Sequence, residues 1–356
     1  MLRKLYKCFL SGFNIQFLIT SDFYQKVQKL FRVLSFIKNI KMVDNPPRHG
    51  SLQFYPRVRA KKILPRVNWD SIKKKGTGLL GFICYKVGMG SALVKDNTPH
   101  SLTKGKKIIV PVTILECPTM KIYSIRFYKN KKLVGEILNK NVDKELKRIL
   151  KIPKKETKKL EDFKENYDDI RVIVYSQVKK TGIKKTPDIK EIGLSGSLEE
   201  KINFIKNNLD KEISIKSVFS EDLVDVRGVT KGKGFQGTIK RFGTTLRHHK
   251  SEKGQRVLGS GGPWNPPRVD FTQPRAGQMG FFTRVNYNNK IVLIDNIKNR
   301  DINPGEGFSH FGKIKTDYVL ISGSVQGPQK RALLITYPIR PTKDQIKKNY
   351  EFLELR

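Results

Sequence analysis

Residues 227–284 constrain this chain more than any other stretch. They carry Arg227, Lys231, Lys233, Lys240, Arg241, Arg247, Lys250, Lys253, Arg256, Arg268, Arg275 and Arg284, against only two acids, Glu252 and Asp270. Eleven glycines are spread among them. Such a segment cannot enclose an apolar core, and after about Gly243 neither helical nor strand periodicity persists. A structureless loop of this length is foreign to a compact domain unless it serves something outside it. The composition indicates the chemistry of that partner. Glycine lets one backbone approach another closely. Arginine and lysine neutralise phosphates and release their counterions. Phe242, Trp264 and Phe271 have flat rings that stack on unpaired bases, each such contact contributing roughly 1–3 kcal/mol.

The rest of the chain agrees. Its 356 residues carry 71 Lys+Arg against 32 Asp+Glu, a net charge of +39. Self-repulsion on that scale opposes compaction, so a polyanion has to neutralise it. Nucleic acid fits best, and an anionic membrane surface is the rival. No run approaches the ~20 apolar residues needed to span a bilayer. The nearest, 13–20, is short and interrupted by Asn14 and Gln16, so neither a membrane span nor a secretory signal is expected. Cys8, Cys84 and Cys117 show no paired spacing, which predicts free thiols rather than disulfides or a zinc knuckle.

Enzymatic readings fail on mechanism. Gly232-Lys-Gly234-Phe-Gln-Gly237 matches the spacing of a dinucleotide-binding turn, but that turn must open a helix whose N-terminus holds pyrophosphate. Here Thr238-Ile-Lys-Arg-Phe242 and then a glycine follow, and no helix is expected. His248 and His249 are adjacent and cannot share a helical face as metal ligands, so they are read as nucleic-acid contacts. No paired carboxylates, nucleophile elbow or phosphate-binding Lys-Ser/Thr loop occurs. The chain is expected to be no enzyme, with no cofactor, no metal and no small-molecule substrate.

The strand signals fall in two groups. Short Ile/Val/Tyr/Phe-rich runs at 79–87, 107–115 and 121–128 are matched much later by runs at 223–229, 290–295, 318–325 and 331–337. Strands at both ends of a region predict a barrel closed by distant pieces, over 77–128 plus 213–342. Between them, 129–212 reads as an α+β insertion. It has charged helix candidates at 142–150 and 155–166, a strand at 170–178, and a helix opened by a Ser197/Glu200 capping box with an apolar stripe of Leu198, Ile202, Ile205 and Leu209. Its many lysines beside acids read as a solvated face. Residues 230–285 protrude from the barrel as the basic loop, and 343–356 form a C-terminal tail.

Residues 42–76 are basic and proline-broken, with Arg48, Arg57, Arg59, Lys61 and Lys62 interleaved with Phe54, Tyr55 and Trp69. This strip is expected to stay extended until it lies on a polyanion. Residues 1–41 form a basic amphipathic helix pattern of different character. Met42 is the expected start of the mature chain.

Several strings sharpen this into a resemblance. Thr230-Lys-Gly-Lys-Gly-Phe-Gln-Gly237, Gly262-Pro-Trp-Asn-Pro-Pro-Arg-Val269 and Pro274-Arg-Ala-Gly-Gln-Met-Gly280 occur in that order. Tyr287-Asn-Asn-Lys-Ile291, Asp317-Tyr-Val-Leu320, 323–328 with Lys330-Arg331, and Arg48-His-Gly-Ser-Leu52 accompany them. Together they resemble the large-subunit ribosomal protein L-three family in its archaeal and eukaryotic form. The resemblance implies a mainly β fold, a translation-protein-type β-barrel with an α+β insertion, and two RNA-penetrating extensions. It implies large-subunit rRNA and neighbouring large-subunit ribosomal proteins as partners, with no membrane. It further implies a cytoplasmic location in the subunit, a role in early subunit assembly, and a loop whose tip, Trp264, points toward the peptidyl transferase centre. The expected rRNA-binding set is Arg48, Arg57, Arg59, Lys61, Lys62, Lys231, Lys233, Lys240, Arg241, Arg247, His248, His249, Lys250, Arg256, Trp264, Arg268, Arg275 and Arg284. Two positions depart from the family. Lys240 stands where some members carry a methylated histidine, and Asn265 where many carry histidine. The alternative reading is a free RNA chaperone or ribosome assembly factor.

Overall fold

The computed structural model describes residues 49–356 apart from 75, 154–166, 221–222, 263 and 266. The chain divides into two units, Met1–Ser51 and Leu52–Arg356. Of the first, only 49–51 are described, so the expected helix within 1–41 and the site residue Arg48 lie outside the described residues, as does the helix candidate at 155–166. The second unit carries everything that follows.

It opens with β1 (Gly78–Leu79), β2 (Gly81–Asp96), β3 (Lys107–Cys117), β4 (Met120–Lys129), β5 (Lys132–Leu138), β6 (Asp169–Ser176) and β7 (Ile189–Ser195). Helix α1 (Leu198–Asn208) and β8 (Leu223–Val229) come next, then β9 (Phe235–Gln236), α2 (Thr238–Phe242) and β10 (Gly277–Gln278). The chain ends with β11 (Thr283–Asn296), β12 (Asp317–Ser322), β13 (Ala332–Thr336), α3 (Lys343–Lys347) and β14 (Tyr350–Leu355). The fold is mainly β.

One sheet returns on itself. It runs β13-β8-β11-β12-β3-β2, and β13 pairs with β2 as well as β8, so six antiparallel strands form a closed ring of hydrogen bonds. Strand β2 achieves this by serving two partners. Its first half pairs with β13 (Ala332↔Tyr85 to Thr336↔Gly81), and its second half pairs with β14 (Tyr350↔Asp96 to Leu355↔Ala92). The register shift between Lys86 and Gly88 marks the change of course. The last residues were expected to form a tail. They instead extend the sheet, because β14 packs half-buried Tyr350, Phe352 and Leu355 against a second core.

Strand alternation explains the two cores. Along β12, Val319 and Ile321 face one cluster while Tyr318 and Leu320 face the other. Leu115 and Cys117 of β3 divide from Val112 and Ile114 in the same way. Strand β8 is buried over its full length, with Asp225 and Arg227 carried inside among its valines. Cys84 and Cys117 lie side by side on neighbouring strands, both fully buried, with Sγ atoms 2.9 Å apart. Sequence spacing did not suggest this pair. Burial pushes the Cys117 thiol well above its usual pKa.

The second sheet has the order β1-β7-β6-β4-β5, all antiparallel. Strand β4, grouped with the barrel strands from the sequence, belongs here. Helix α1 packs on it through Ile205, and both hydrogen bonds of the Ser197/Glu200 capping box are present. Leu198, expected in the apolar stripe, stays 37% exposed at the first turn. The helix expected at 142–150 is a single 3-10 turn, Lys144–Arg148, pinned by buried Leu146. The two sheets meet at a buried polar pin, where the Tyr85 hydroxyl of β2 donates to Asp188 Oδ2 at 2.5 Å and lies 2.7 Å from Ser176 Oγ.

The main correction concerns the N-terminal strip. Leu64, Val67, Trp69 and Ile72 are buried in the protein's own core rather than extended on a partner. Trp69 is accommodated by glycine. A Cβ on Gly193 would lie 2.8 Å from Trp69 Cβ, and one on Gly81 would lie 3.1 Å from the indole. The sequence masks this because the receiving glycines lie up to 124 positions away in another sheet.

Candidate nucleic-acid interface

Strands β8 and β11 are hydrogen-bonded neighbours, with Val229 opposite Thr283. The whole excursion 230–282 therefore leaves and re-enters the ring at one point. Its two legs are tied together as they leave. Thr230 N donates to Phe282 O, Lys233 N to Met279 O, Met279 N to Gly234 O, and β9 pairs with β10. The legs run so close that a Cβ on Gly280 (φ +70°) would fall 2.1 Å from Lys231 O. Beyond the stem sits α2, one turn of helix where none was expected. The turn closes because Gly243 N bonds back to Ile239 O and because Arg241 clamps the opposite leg. Arg241 Nε donates to Gln278 O and Nη1 to Arg275 O, both at 2.9 Å.

Residues 54–60 then brace this stem. Ala60 N donates to Phe281 O and the Tyr55 hydroxyl to Thr272 O. Cations and rings alternate across the contact. Arg57 lies over Phe242 and Tyr55, Arg59 over Phe281, and Arg284 over Phe54 and Phe282, with guanidinium-to-ring distances of 4.2 to 5.4 Å. Arg331, which the sequence reading missed, covers the same Phe281 ring at 5.2 Å. Burial, together with the neighbouring Arg57 cation, pulls the Arg241 and Arg284 guanidiniums below their ordinary pKa values.

The expected site residues thus separate into two sets. Arg57, Arg59, Arg241 and Arg284 contact the protein's own rings and carbonyls, and Arg247 joins them through Nη2 to Leu258 O at 2.7 Å. Lys231, Lys233, Lys240, Lys250, Arg256, Arg268 and Arg275 are exposed along the excursion. So are His248 and His249, whose rings lie 4.2 Å apart. Lys61 and Lys62 are exposed at a different place, the rim of a groove against the five-stranded sheet. The three rings expected to stack on bases also differ. Phe242 is buried beneath Arg57 and is unavailable to a partner. Phe271 is 79% exposed with its edge on Tyr55, and Trp264, midway along the excursion, is 96% exposed.

What this arrangement offers is a braced stem presenting free cations and one bare indole. Among the described residues there is no group of three His, Cys, Asp or Glu side chains placed to hold a metal, and no helix is long and apolar enough to cross a membrane. The class it defines is a mainly β protein with a basic, glycine-rich protrusion braced at its stem. The sequence profile described as Ribosomal protein L3 matches residues 41–354. The large ribosomal subunit protein uL3 of Pyrobaculum calidifontis is 43% identical over 317 residues, covering 84% of this chain and 93% of its own. That of Methanocaldococcus jannaschii is 42% identical over 318 residues, covering 85% and 94%. That of Archaeoglobus fulgidus is 43% identical over 311 residues, covering 83% and 93%. The chain belongs to the ribosomal protein L3 family, whose members are structural ribosomal proteins and not enzymes.

Proposed function

We propose that this chain is a cytoplasmic structural constituent of the large ribosomal subunit that binds rRNA, supports early subunit assembly and extends 230–282 toward the peptidyl transferase centre. In this reading the six-stranded ring is the translation-protein-type barrel. The five-stranded sheet with α1 is its α+β insertion, beginning at β4. The part of the strip before Leu64 and the excursion are the two RNA-facing extensions. Neighbouring ribosomal proteins are further partners, and no small-molecule substrate is involved.

The observation that carries the reading is the state of Trp264. A 96% exposed indole, on a loop whose stem is clamped by Arg241 and braced by 54–60, has no ring or hydrogen-bond partner among the described residues. Burying that ring elsewhere is favourable, and the clamped stem reduces the entropy lost on docking. The exposed lysines and arginines beside it set the partner's charge. The test is binding of the purified full chain to large-subunit rRNA fragments over a salt series. Affinity should fall steeply as salt rises. Affinity that scarcely changes would overturn the electrostatic account. Quantitative mass spectrometry of mature subunits should find one copy each, whereas a free assembly factor would be absent from them.

A further inference from the structure

A groove of about 1240 Å³ runs between residues 61–70 and the five-stranded sheet. Its carboxylates are engaged by cations of the sheet. Glu191 accepts from Arg126 at 3.1 Å and Arg171 at 3.5 Å, Asp70 accepts from Arg171 at 2.8 Å, and Asp188 pairs with Lys184. Five further cations line the groove: Lys61, Lys62 and Arg66 on one wall, Lys131 and Lys190 on the other. Among the described residues none of the five forms an ion pair. Lys190 is half-buried, and its ammonium, with three donors, makes one hydrogen bond, to Leu64 O at 3.4 Å.

From this geometry we infer that the groove is a second seat for an RNA phosphodiester backbone, with Lys62, Arg66, Lys131 and Lys190 taking its phosphates. The inference rests on the rRNA-binding reading and extends it: Lys61 and Lys62 of the strip already belong to the expected rRNA-binding set, whereas Lys131 and Lys190 of the sheet lie in the segment whose lysines read as a solvated face. Burial, and then repulsion from Lys62 and Arg66, lowers the Lys190 pKa to about 8 despite the nearby Glu191 carboxylate. The groove's rings are already occupied. Tyr128 lies under Arg171 at 4.6 Å and Trp69 is buried. It therefore offers charge to a backbone and no platform to bases, so recognition there is independent of sequence. Lys190 is half-buried between the two walls, which favours a strand entering the groove over a flat bilayer surface.

The test labels the full-length protein with an amine-reactive acetylating reagent near pH 8 and quantifies each lysine by peptide mass spectrometry. Three probes are compared: a large-subunit rRNA fragment, inorganic phosphate, and vesicles of phosphatidylserine with phosphatidylcholine. RNA should abolish Lys190 labelling, and phosphate and vesicles should leave it intact. Protection of Lys231 and Lys233 by RNA with Lys190 labelled at its free rate would sink the groove and leave the RNA-binding reading standing. Failure of RNA to bind at all would remove both. Vesicles that protect Lys190 as RNA does would reassign the site to a lipid surface. Independently, Lys62→Ala/Arg66→Ala/Lys190→Ala should lower the salt slope of RNA binding by about two, since each lost phosphate contact removes roughly 0.7–0.9. A wild-type slope in a folded triple variant overturns the inference. Should that variant not fold, the labelling result on the native chain decides.

Discussion

The guanidinium carbon of Arg57 lies 4.2 Å from the centre of the Phe242 ring, and its Nη1 donates to Arg241 O. One residue thus covers the helical turn α2 and ties the N-terminal strip to the base of the excursion. A guanidinium does this through its plane, which an ammonium lacks. Arg57→Lys keeps the charge and loses the stacking. It should speed amide hydrogen exchange at Arg241 and Gly243 about as much as Arg57→Ala does. The loss should be about 0.5–2 kcal/mol of local stability. Near-wild-type exchange in the lysine variant would show that charge alone matters at this position.

Trp69 tests the other unexpected feature of the strip. Gly193→Ala places a methyl 2.8 Å from Trp69 Cβ, against backbone and core that cannot easily yield. Overpacking of this kind costs roughly 1–3 kcal/mol, and Trp69→Ala, which empties the site, roughly 3–5 kcal/mol. Urea unfolding of each full-length variant measures both. A stability unchanged in both would mean that residues 64–72 do not belong to the core.

These two sites show what the sequence could reveal. Strand β8 coincides with its valine-rich segment, and the Ser197/Glu200 box marks the start of α1, because both signals are local. The closure of β13 onto β2 and the Cys84–Cys117 contact depend on residues far apart in the chain, and no window of sequence contains both partners. The same limit governed the site. Arginine and phenylalanine interleaved along a strip signal stacking but do not say on what. Arg57 covers Phe242 and Arg284 covers Phe54, while Lys190 and Arg66 converge on a groove that only the packing of the strip against the sheet creates.

Glu116 gives a pH dependence. It is fully buried, and its Oε1 accepts from Lys315 N, Thr316 N and the Thr316 hydroxyl, while Oε2 has no hydrogen-bond partner among the described residues. Burial outweighs those donors and raises its pKa above the ordinary carboxylate value. The folded state therefore binds this proton more tightly than the unfolded state. Stability from this group is fully present below the ordinary glutamate pKa. It falls as pH rises from there to the raised value, and is level above it. Glu116→Gln has no such titration. The stability of the variant relative to wild type should climb across that window in urea titrations at successive pH values. A difference independent of pH would show that Glu116 titrates alike in both states.

Trp264 separates a packing role from a binding one. At 96% exposure its ring contributes almost nothing to the folded chain, so Trp264→Ala should leave the thermal transition of the isolated protein within about 0.5 kcal/mol of wild type. The variant should enter large subunits in normal amount, because the stem contacts of Arg241, Arg57 and Ala60 lie outside the change. If the proposed placement holds, its effect should appear as altered aminoacyl-tRNA affinity, peptide-bond formation or sensitivity to drugs of the peptidyl transferase centre. The loss of one base-stacking partner corresponds to roughly 1–3 kcal/mol at that contact. Trp264→Phe, which keeps a smaller ring, should fall between wild type and alanine in the same measurements. Wild-type values for all three activities in purified Trp264→Ala ribosomes would remove the residue from the functional surface. A collapsed thermal transition would instead assign the indole to packing that its exposure argues against.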